Sequence, residues 1–217
     1  MSRARAAIFD QDGLLFDTEV IFERCWKQAG AERGLDVPDA MTHACCGCGT
    51  NELPNAIRPF FPDLNIPTYI SRVFELVIAA QLAAPPVLKP GTREILARCR
   101  AKGLRTAIAT SSIRRLVDHN LATTGLTAYI DEIVTGQDVS AGKPAPDIYL
   151  LAARRLGVPP SECLVFEDAF TGIRAAHAAG CRPVLVPDRL IPTPEILEIC
   201  TLRPSLLDAL DLVSPNN

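Results

Sequence analysis

Five short runs of apolar residues lie along the chain, and most of them are bounded by polar or turn-forming residues. A run of four to six residues is too short for a helix and is typical of a strand that is buried on both faces. The predicted strands are residues 6–9, 104–109, 132–135, 163–166 and 182–186.

Amphipathic segments lie between the later strands, with apolar residues three or four positions apart. They predict helices over residues 91–101, with Thr92 as the N-cap, over 147–156, and over 171–179 with Gly180 after the last turn. Strands that alternate with helices favour a Rossmann-like, doubly wound parallel α/β sheet.

Residues 17–83 interrupt this alternation, because they contain helical patterns and no second strand. Residues 19–33 and 71–82 are the clearest helix candidates, and the stretch between them is punctuated by Pro54, Pro59, Pro62 and Pro67. We therefore predict a helical insert after the first strand, with residues 85–91 returning the chain to the α/β core. A closing helix is predicted over residues 205–212.

The composition restricts location and partners. The chain has 217 residues, 48% of them apolar, and no run of about 18 uninterrupted apolar residues of the kind that spans a membrane. Its N-terminus lacks the pattern of a signal peptide, so we expect a cytoplasmic protein with no membrane partner. With a net charge of −3 and no basic run, nucleic acid is not expected as a partner. The eight scattered cysteines are expected to be reduced.

Polar residues follow the ends of four predicted segments. Ligands bind beyond the carboxyl ends of the strands in an open parallel sheet, so we expect these side chains to meet at one edge. They are Asp10 and Asp12, Thr110 and Ser111, Lys143, and Glu167 and Asp168.

The charges of these residues predict a metal ion. Four carboxylates facing one lysine repel one another unless a cation lies among them. Carboxylate and carbonyl oxygens suit Mg²⁺, which keeps water ligands and commonly bridges to a substrate phosphate. Asp10 could then attack phosphorus to form an aspartyl-phosphate, while Lys143 offsets charge on the transferring group and Thr110 binds its oxygens.

Four segments resemble the motifs of the haloacid dehalogenase-like hydrolases, in the order and spacing of that family. They are FDQDGLLFDTE at residues 9–19, IATSS at 108–112, GKPAPD at 142–147 and VFED at 165–168. The following AFTGIRAAHAAG at 169–180 is similar to the branch of sugar phosphatases and β-phosphoglucomutases. That branch carries a helical cap where the insert lies here. The resemblance thus implies a core domain of residues 1–16 and 84–217 and a cap domain of residues 17–83.

The resemblance also implies catalytic roles. Asp10 would be the nucleophile and a metal ligand. Asp12 would be the general acid and base, and its backbone carbonyl would bind the metal. Thr110 would hold the phosphoryl group, and Lys143 would pair with Asp10 and with phosphate.

The remaining site residues are a metal pair and a substrate-binding set. Asp168 and Glu167 would complete the Mg²⁺ site, although Glu167 could instead serve as an acid at the start of the following helix. Gln11 stands where the family has an apolar residue, and we expect its side chain to point away from the phosphate. The expected substrate-binding residues are Ser111, Thr18, Thr50 and Asn51.

The cap residues favour a phosphatase over a phosphomutase. By alignment, Phe22 replaces a cap histidine of the mutases, and Thr50 replaces the arginine that clamps a second phosphate. We therefore expect hydrolysis of a small phosphorylated metabolite, a sugar or polyol phosphate by default. A β-phosphoglucomutase-like mutase and a non-catalytic ligand-binding relative are the alternatives. We expect a monomer or weak homodimer.

A cluster of soft ligands at residues 43–48 lacks the spacing of a zinc site. We expect His43, Cys45, Cys46 and Cys48 to be structural residues of the cap.

Overall fold

The computed structural model describes residues 3–213, and within this range six parallel strands form one sheet. Their spatial order is β3-β2-β1-β4-β5-β6, so the chain winds outward from β1 in both directions. The strands are β1 (Ala6–Phe9), β2 (Arg105–Thr110), β3 (Glu132–Thr135), β4 (Cys163–Glu167), β5 (Arg182–Leu185) and β6 (Thr201–Leu202).

Helices cover both faces of this sheet. The helices of the α/β part are α5 (Thr92–Ala101), α6 (Arg114–Thr124), α7 (Asp147–Leu156), α8 (Phe170–Ala178) and the short α9 (Pro194–Leu197). Alternate residues of β1 point to opposite faces: Phe9 packs in one apolar cluster with Leu96 of α5, and Ile8 packs in another with Ile148 of α7. This two-sided burial explains why the strands are uninterrupted apolar runs.

The predicted doubly wound α/β fold is confirmed. All five predicted strands are present, with ends that differ by a residue or two. No pattern in the sequence predicted α6, α9 or β6, and the two residues of β6 are both exposed.

Two local predictions are wrong. Thr92 is not the N-cap of α5; Gly91 is, with φ +90°, and the Thr92 hydroxyl instead donates to the carbonyl of Leu15 at 2.9 Å. Glycine is required at position 91, because a Cβ there would lie 2.5 Å from the backbone nitrogen of Leu207. The closing helix over 205–212 is instead a 3₁₀ helix at Asp208–Val213.

The stretch after β1 is helical, as predicted. It holds α1 (Glu19–Ala31), α2 (Asp39–Cys45), α3 (Leu53–Ile57) and α4 (Ile66–Ala83). We call residues 17–83 the helical segment. Its buried apolar residues form a cluster of their own, in which the rings of Trp26 and Tyr69 lie 5.5 Å apart.

The chain enters and leaves the helical segment at neighbouring points. The Asp17 N–H donates to the carbonyl of Val87, and the Lys89 N–H donates to the carbonyl of Leu15, both at 2.9 Å. The division into core and cap at residues 16/17 and 83/84 stays a prediction, and residues 1–2 and 214–217 lie outside the described range.

By length and composition, α4 is the one helix among the described residues that could cross a membrane, with a mean hydropathy of 1.2. A third of it is buried, and its Arg72 pairs at 2.8 Å with Glu32, the residue that follows α1. Core helices of globular proteins pass the same test, so α4 alone is weak evidence of a span.

Candidate active site

Asp10 follows the last residue of β1 at the carboxyl edge of the sheet. Its N–H donates to the carbonyl of Phe166 on β4 at 3.0 Å, which holds it where the two central strands end. The chain then turns at Gly13, whose φ is +82°. A Cβ at position 13 would lie 2.3 Å from Oδ2 of Asp168, so glycine allows this carboxylate to approach the turn.

Lys143 is buried and lies between two carboxylates. Its Nζ donates to Asp10 Oδ1 at 2.5 Å, to Glu167 Oε1 at 2.6 Å and to the carbonyl of Ala109 at 3.1 Å. These three acceptors match the three donors of an ammonium group. Burial works to lower the pKa of Lys143, but the charges of Asp10 and Glu167 outweigh it and raise that pKa. Lys143 is therefore a cation fixed beside the predicted nucleophile.

Glu167 is held from several sides. Its Oε1 also accepts a hydrogen bond from the Tyr149 hydroxyl, and its Oε2 is 3.4 Å from the N–H of Ala169, the N-cap of α8. A Cβ at Gly172 would lie 1.9 Å from Oε1. The carboxylate thus occupies the space that Gly172 leaves free.

Asp10, Glu167 and Asp168 form a group able to hold a metal ion. One carboxylate oxygen from each lies within 4.8 Å of the others. Burial raises the pKa of Asp10 to about 7, against the charge of Lys143 and with help from those of Glu167 and Asp12. Burial, followed by the charges of Glu167, Asp10 and Glu19, raises the pKa of Asp168 well above its usual range. The single positive charge of Lys143 does not balance the three carboxylates of this cluster. Because the cluster offers only oxygen donors, it suits a hard divalent cation.

Asp12 is half-buried and positioned by its neighbours. Its Oδ2 accepts a hydrogen bond from the Ser112 hydroxyl at 2.6 Å, and Gln11 Nε2 lies 3.4 Å from the same oxygen. Its Oδ1 has no hydrogen-bond partner among residues 3–213. Gln11 is fully buried, and its side chain lies against Asp12 rather than in the cavity wall.

A cavity of about 590 Å³ lies between this edge of the sheet and the helical segment. The predicted residues that line it are Asp10, Asp12, Thr50, Thr110, Ser111, Lys143, Glu167 and Asp168. The structure does not place Thr18 and Asn51 in the wall: Thr18 is fully buried at the start of α1, and Asn51 is exposed.

The helical segment supplies the outer wall. Phe22 and Thr50, the two positions used to distinguish phosphatase from mutase, both line the cavity. Cys46 and Cys48 line it as well, and their thiols are free. Within residues 3–213, the metal-capable group does not include His43 or these cysteines.

Several residues at the site were not found from the sequence. Tyr149 and Ser112 bind the carboxylates of Glu167 and Asp12, and Arg189, after β5, lines the cavity. Ser112 lies within the second motif and could have been suspected. Tyr149 has the apolar spacing of a core residue, and Arg189 lies in a loop with no motif.

Comparison with known proteins identifies the family. The model of the haloacid dehalogenase-like hydrolases matches residues 4–180. Protein SUPPRESSOR OF QUENCHING 1, chloroplastic, of Arabidopsis thaliana is 36% identical over 193 residues, which are 85% of this chain but 18% of that protein. The chain thus spans under a fifth of that relative.

Two further similarities cover both partners more evenly. A phosphorylated carbohydrates phosphatase of Thermotoga maritima is 33% identical over 178 residues, 81% of each chain. The crystal structure of CbbY from Rhodobacter sphaeroides in complex with phosphate superposes with a TM-score of 0.77 at 27% identity, covering 94% of this chain and 95% of that one. The predicted family and the predicted class of enzyme, a hydrolase, are confirmed, and this chain belongs to the haloacid dehalogenase-like hydrolases.

Proposed function

We propose that this protein is a Mg²⁺-dependent phosphatase of small phosphorylated metabolites, and that sugar or polyol phosphates are its substrates. The observation that carries the proposal is the contact of Lys143 with both Asp10 and Glu167, beside Asp168, in the wall of the cavity. The name of the Thermotoga relative, a phosphatase of phosphorylated carbohydrates, supports the substrate class.

Mg²⁺ would be held by the carboxylates of Asp10, Glu167 and Asp168 and by the backbone carbonyl of Asp12. These residues fit such an ion, because they offer only oxygen donors and their charge exceeds that of Lys143. When bound, the ion would neutralise charge on the oxygens of the transferring phosphoryl group.

In the first step, a carboxylate oxygen of Asp10 attacks phosphorus. The ester P–O bond breaks, its electron pair goes to the leaving oxygen, and Asp12 protonates that oxygen. Asp12 can hold this proton on Oδ1, since Ser112 already occupies Oδ2. The products are an alcohol and an aspartyl-phosphate on Asp10.

In the second step, water attacks the aspartyl-phosphate and gives a proton to Asp12. Phosphate leaves, and the carboxylate of Asp10 is restored. Lys143 stays beside Asp10 throughout and binds the phosphoryl oxygens together with Thr110. The two steps together consume one water for each ester bond that is hydrolysed.

A mutase would require a site for the second phosphate of a bisphosphorylated intermediate. Phe22 and Thr50 line the cavity at the positions considered for that role, and neither provides a positive charge. We therefore propose hydrolysis. We further propose that the helical segment is a cap domain, that the enzyme is cytoplasmic, and that it is a monomer or weak homodimer.

The test is release of inorganic phosphate from a panel of sugar, polyol and aryl phosphates, with Mg²⁺ or with EDTA. We expect turnover with Mg²⁺, and a loss of at least about 10³-fold in Asp10→Asn, because the covalent step needs this carboxylate. Asp63→Asn, which alters an exposed acid outside the cavity wall, is the matched control. Interconversion of glucose phosphates without phosphate release would show a mutase instead, and no turnover of any ester would contradict an enzymatic role.

A further inference from the structure

The outer part of the cavity contains a charge that no motif indicated. Arg189 reaches the wall from the loop after β5, and among the described residues it is the only arginine or lysine that lines the outer part. Glu23 of α1 lies next to it, with 3.6 Å between Arg189 NH1 and Glu23 Oε2. One side chain comes from the α/β part and the other from the helical segment, and both line the cavity.

The guanidinium of Arg189 is poorly satisfied within the protein. Its two ion pairs, to Glu23 and to Asp188, are 3.6 and 4.0 Å long, beyond the length of a charge-assisted hydrogen bond. Among residues 3–213, none accepts a hydrogen bond from it within 3.5 Å. Its five N–H donors are thus available to a group in the cavity.

Glu23 provides the matching acceptor. Its Oε1 is taken by Lys27 at 2.8 Å, which leaves Oε2 as the oxygen that faces Arg189. A donor and an acceptor separated by 3.6 Å suit hydroxyl groups, since each hydroxyl both donates and accepts.

This pair lines the same cavity as Asp12. Because Asp12 would protonate the leaving oxygen, the leaving group would lie in the cavity whose wall Arg189 and Glu23 share. Their polar groups are therefore placed to contact the leaving group.

The same wall disfavours a second phosphate. Three carboxylates line the outer part, those of Glu19, Glu23 and Asp39. Two cations face them, Arg189 and Lys27, and Lys27 pairs with Glu23 at 2.8 Å and with Asp39 at 2.7 Å, so one negative charge remains in excess. Lys143 is already bound to Asp10 and Glu167. A dianionic group would meet a negative surface here, while a neutral chain of hydroxyls would find both donors and acceptors.

We propose that Arg189 and Glu23 are a specificity pair, which binds hydroxyl groups of the leaving alcohol and selects polyhydroxylated monophosphates over bisphosphates. This proposal rests on the proposed phosphatase activity, and it names the residues that determine substrate specificity.

The test compares kcat/KM for sorbitol 6-phosphate, fructose 1,6-bisphosphate and phenyl phosphate, whose leaving group has no further hydroxyl. We expect wild type to favour sorbitol 6-phosphate over the bisphosphate by about tenfold or more. In Arg189→Met, the ratio of kcat/KM for sorbitol 6-phosphate to that for phenyl phosphate should fall about tenfold, the loss typical of one charge-assisted hydrogen bond. Glu23→Gln should lower the same ratio, because one of the two accepting oxygens of Glu23 is replaced by an NH₂ group that donates hydrogen bonds and cannot accept them.

Arg72→Met and Glu32→Gln are matched controls. Arg72 and Arg189 have the same side-chain exposure, 38%, and Arg72 is paired with Glu32, but neither Arg72 nor Glu32 lines the cavity. These controls should leave the ratio within about twofold, inside the range of ordinary surface substitutions.

Three results would overturn the specificity pair. One is a ratio that stays within twofold of wild type in both Arg189→Met and Glu23→Gln. Another is a wild-type preference for the bisphosphate that Arg189→Met removes, which would make Arg189 a clamp for a second phosphate. The last is the absence of Mg²⁺-dependent phosphate release from phenyl phosphate, which would contradict the proposed phosphatase activity. If wild type does release phosphate from phenyl phosphate, the first two results test the specificity pair alone.

Discussion

Asp10, Lys143 and Asp168 show how burial and charge act on single residues of this site. Lys143 lies 2.5 Å from Asp10 and 2.6 Å from Glu167, so its one positive charge is shared by two carboxylates. Asp168 adds a third acid, which is half-buried, and desolvation is the main cause that raises its pKa well above its usual range. Without a further cation, the folded site favours protonated carboxyls.

The first prediction follows from the pKa of Asp10, which burial raises from 3.8 to about 7. Between these pH values, the folded state binds a proton at Asp10 that the unfolded state releases. The contribution of Asp10 to stability is thus fully present below about pH 4 and is lost as the pH rises through 7. In EDTA, Asp10→Asn should therefore become more stable relative to wild type at pH 8 than at pH 5, by at least about 1 kcal/mol.

Urea denaturation of both proteins at the two pH values measures this difference. Asp63→Asn serves again as the control, because its acid is exposed and should show no such change. If the free energies of unfolding of Asp10→Asn and wild type differ by the same amount at pH 5 and at pH 8, the pKa of Asp10 is not raised.

At the same scale, the sequence predicted the acids and the lysine but not their partners. Asp10, Asp12, Lys143 and Asp168 lie in motifs at the ends of strands, so their convergence follows from the topology. Tyr149 reaches Glu167 because α7 packs against the neighbouring strands β1 and β2, and the position of Arg189 depends on a loop. Contacts of this kind depend on packing, which no local pattern of residues encodes.

At the scale of elements, the start of α8 is shaped around the side chain that precedes it. Glu167 is the last residue of β4, and its carboxylate lies over Gly172 in the first turns of α8. A Cβ at position 172 would be 2.0 Å from the carboxyl carbon of Glu167. The helix can begin so close to the strand only because this position has no side chain.

Gly172→Ala should therefore weaken the site although alanine favours helices. Helix propensity alone would stabilise the variant by up to about 1 kcal/mol. Displacing a buried carboxylate that binds Lys143 and Tyr149 should outweigh this gain, with a net loss of about 1–3 kcal/mol and at least tenfold lower Mg²⁺-dependent turnover. Denaturation and phosphate release measure the two effects.

Arg174→Ala, at an exposed position of the same helix, is the control and should change stability by about 0.5 kcal/mol or less. Full activity with equal or greater stability in Gly172→Ala would mean that Glu167 can move without consequence.

The elements themselves were predicted where burial imposes a pattern. The central strands are apolar because both faces are covered, and the sequence located them closely. The exposed β6 has no such pattern. Thr92 was expected to cap α5 because its side chain suits that position, but the approach of residues 206–207 requires glycine there, and the threonine hydroxyl has a partner in Leu15.

At the scale of the whole molecule, one loop of the helical segment touches the α/β part beside the site. The Thr171 hydroxyl donates to the carbonyl of Gly47 at 3.0 Å. A Cβ at Gly49 would lie 3.2 Å from the carbonyl oxygen of Lys143. The glycines of this loop thus allow the two parts to meet closely beside Lys143.

Gly47→Ala and Gly34→Ala separate this contact from backbone strain. Both glycines have left-handed φ, +68° and +69°, so alanine should cost each variant about 1–2 kcal/mol of stability. Only at position 47 would the new Cβ meet neighbours, Leu190 Cδ1 at 2.9 Å and Ala169 Cβ at 3.3 Å, whereas nothing lies within 4 Å at position 34. Gly47→Ala should therefore lower kcat/KM for a sugar phosphate by at least about fivefold more than Gly34→Ala, because the loop is pushed off the site. Equal activity of the two variants, measured by phosphate release, would show that catalysis does not need this loop against the core.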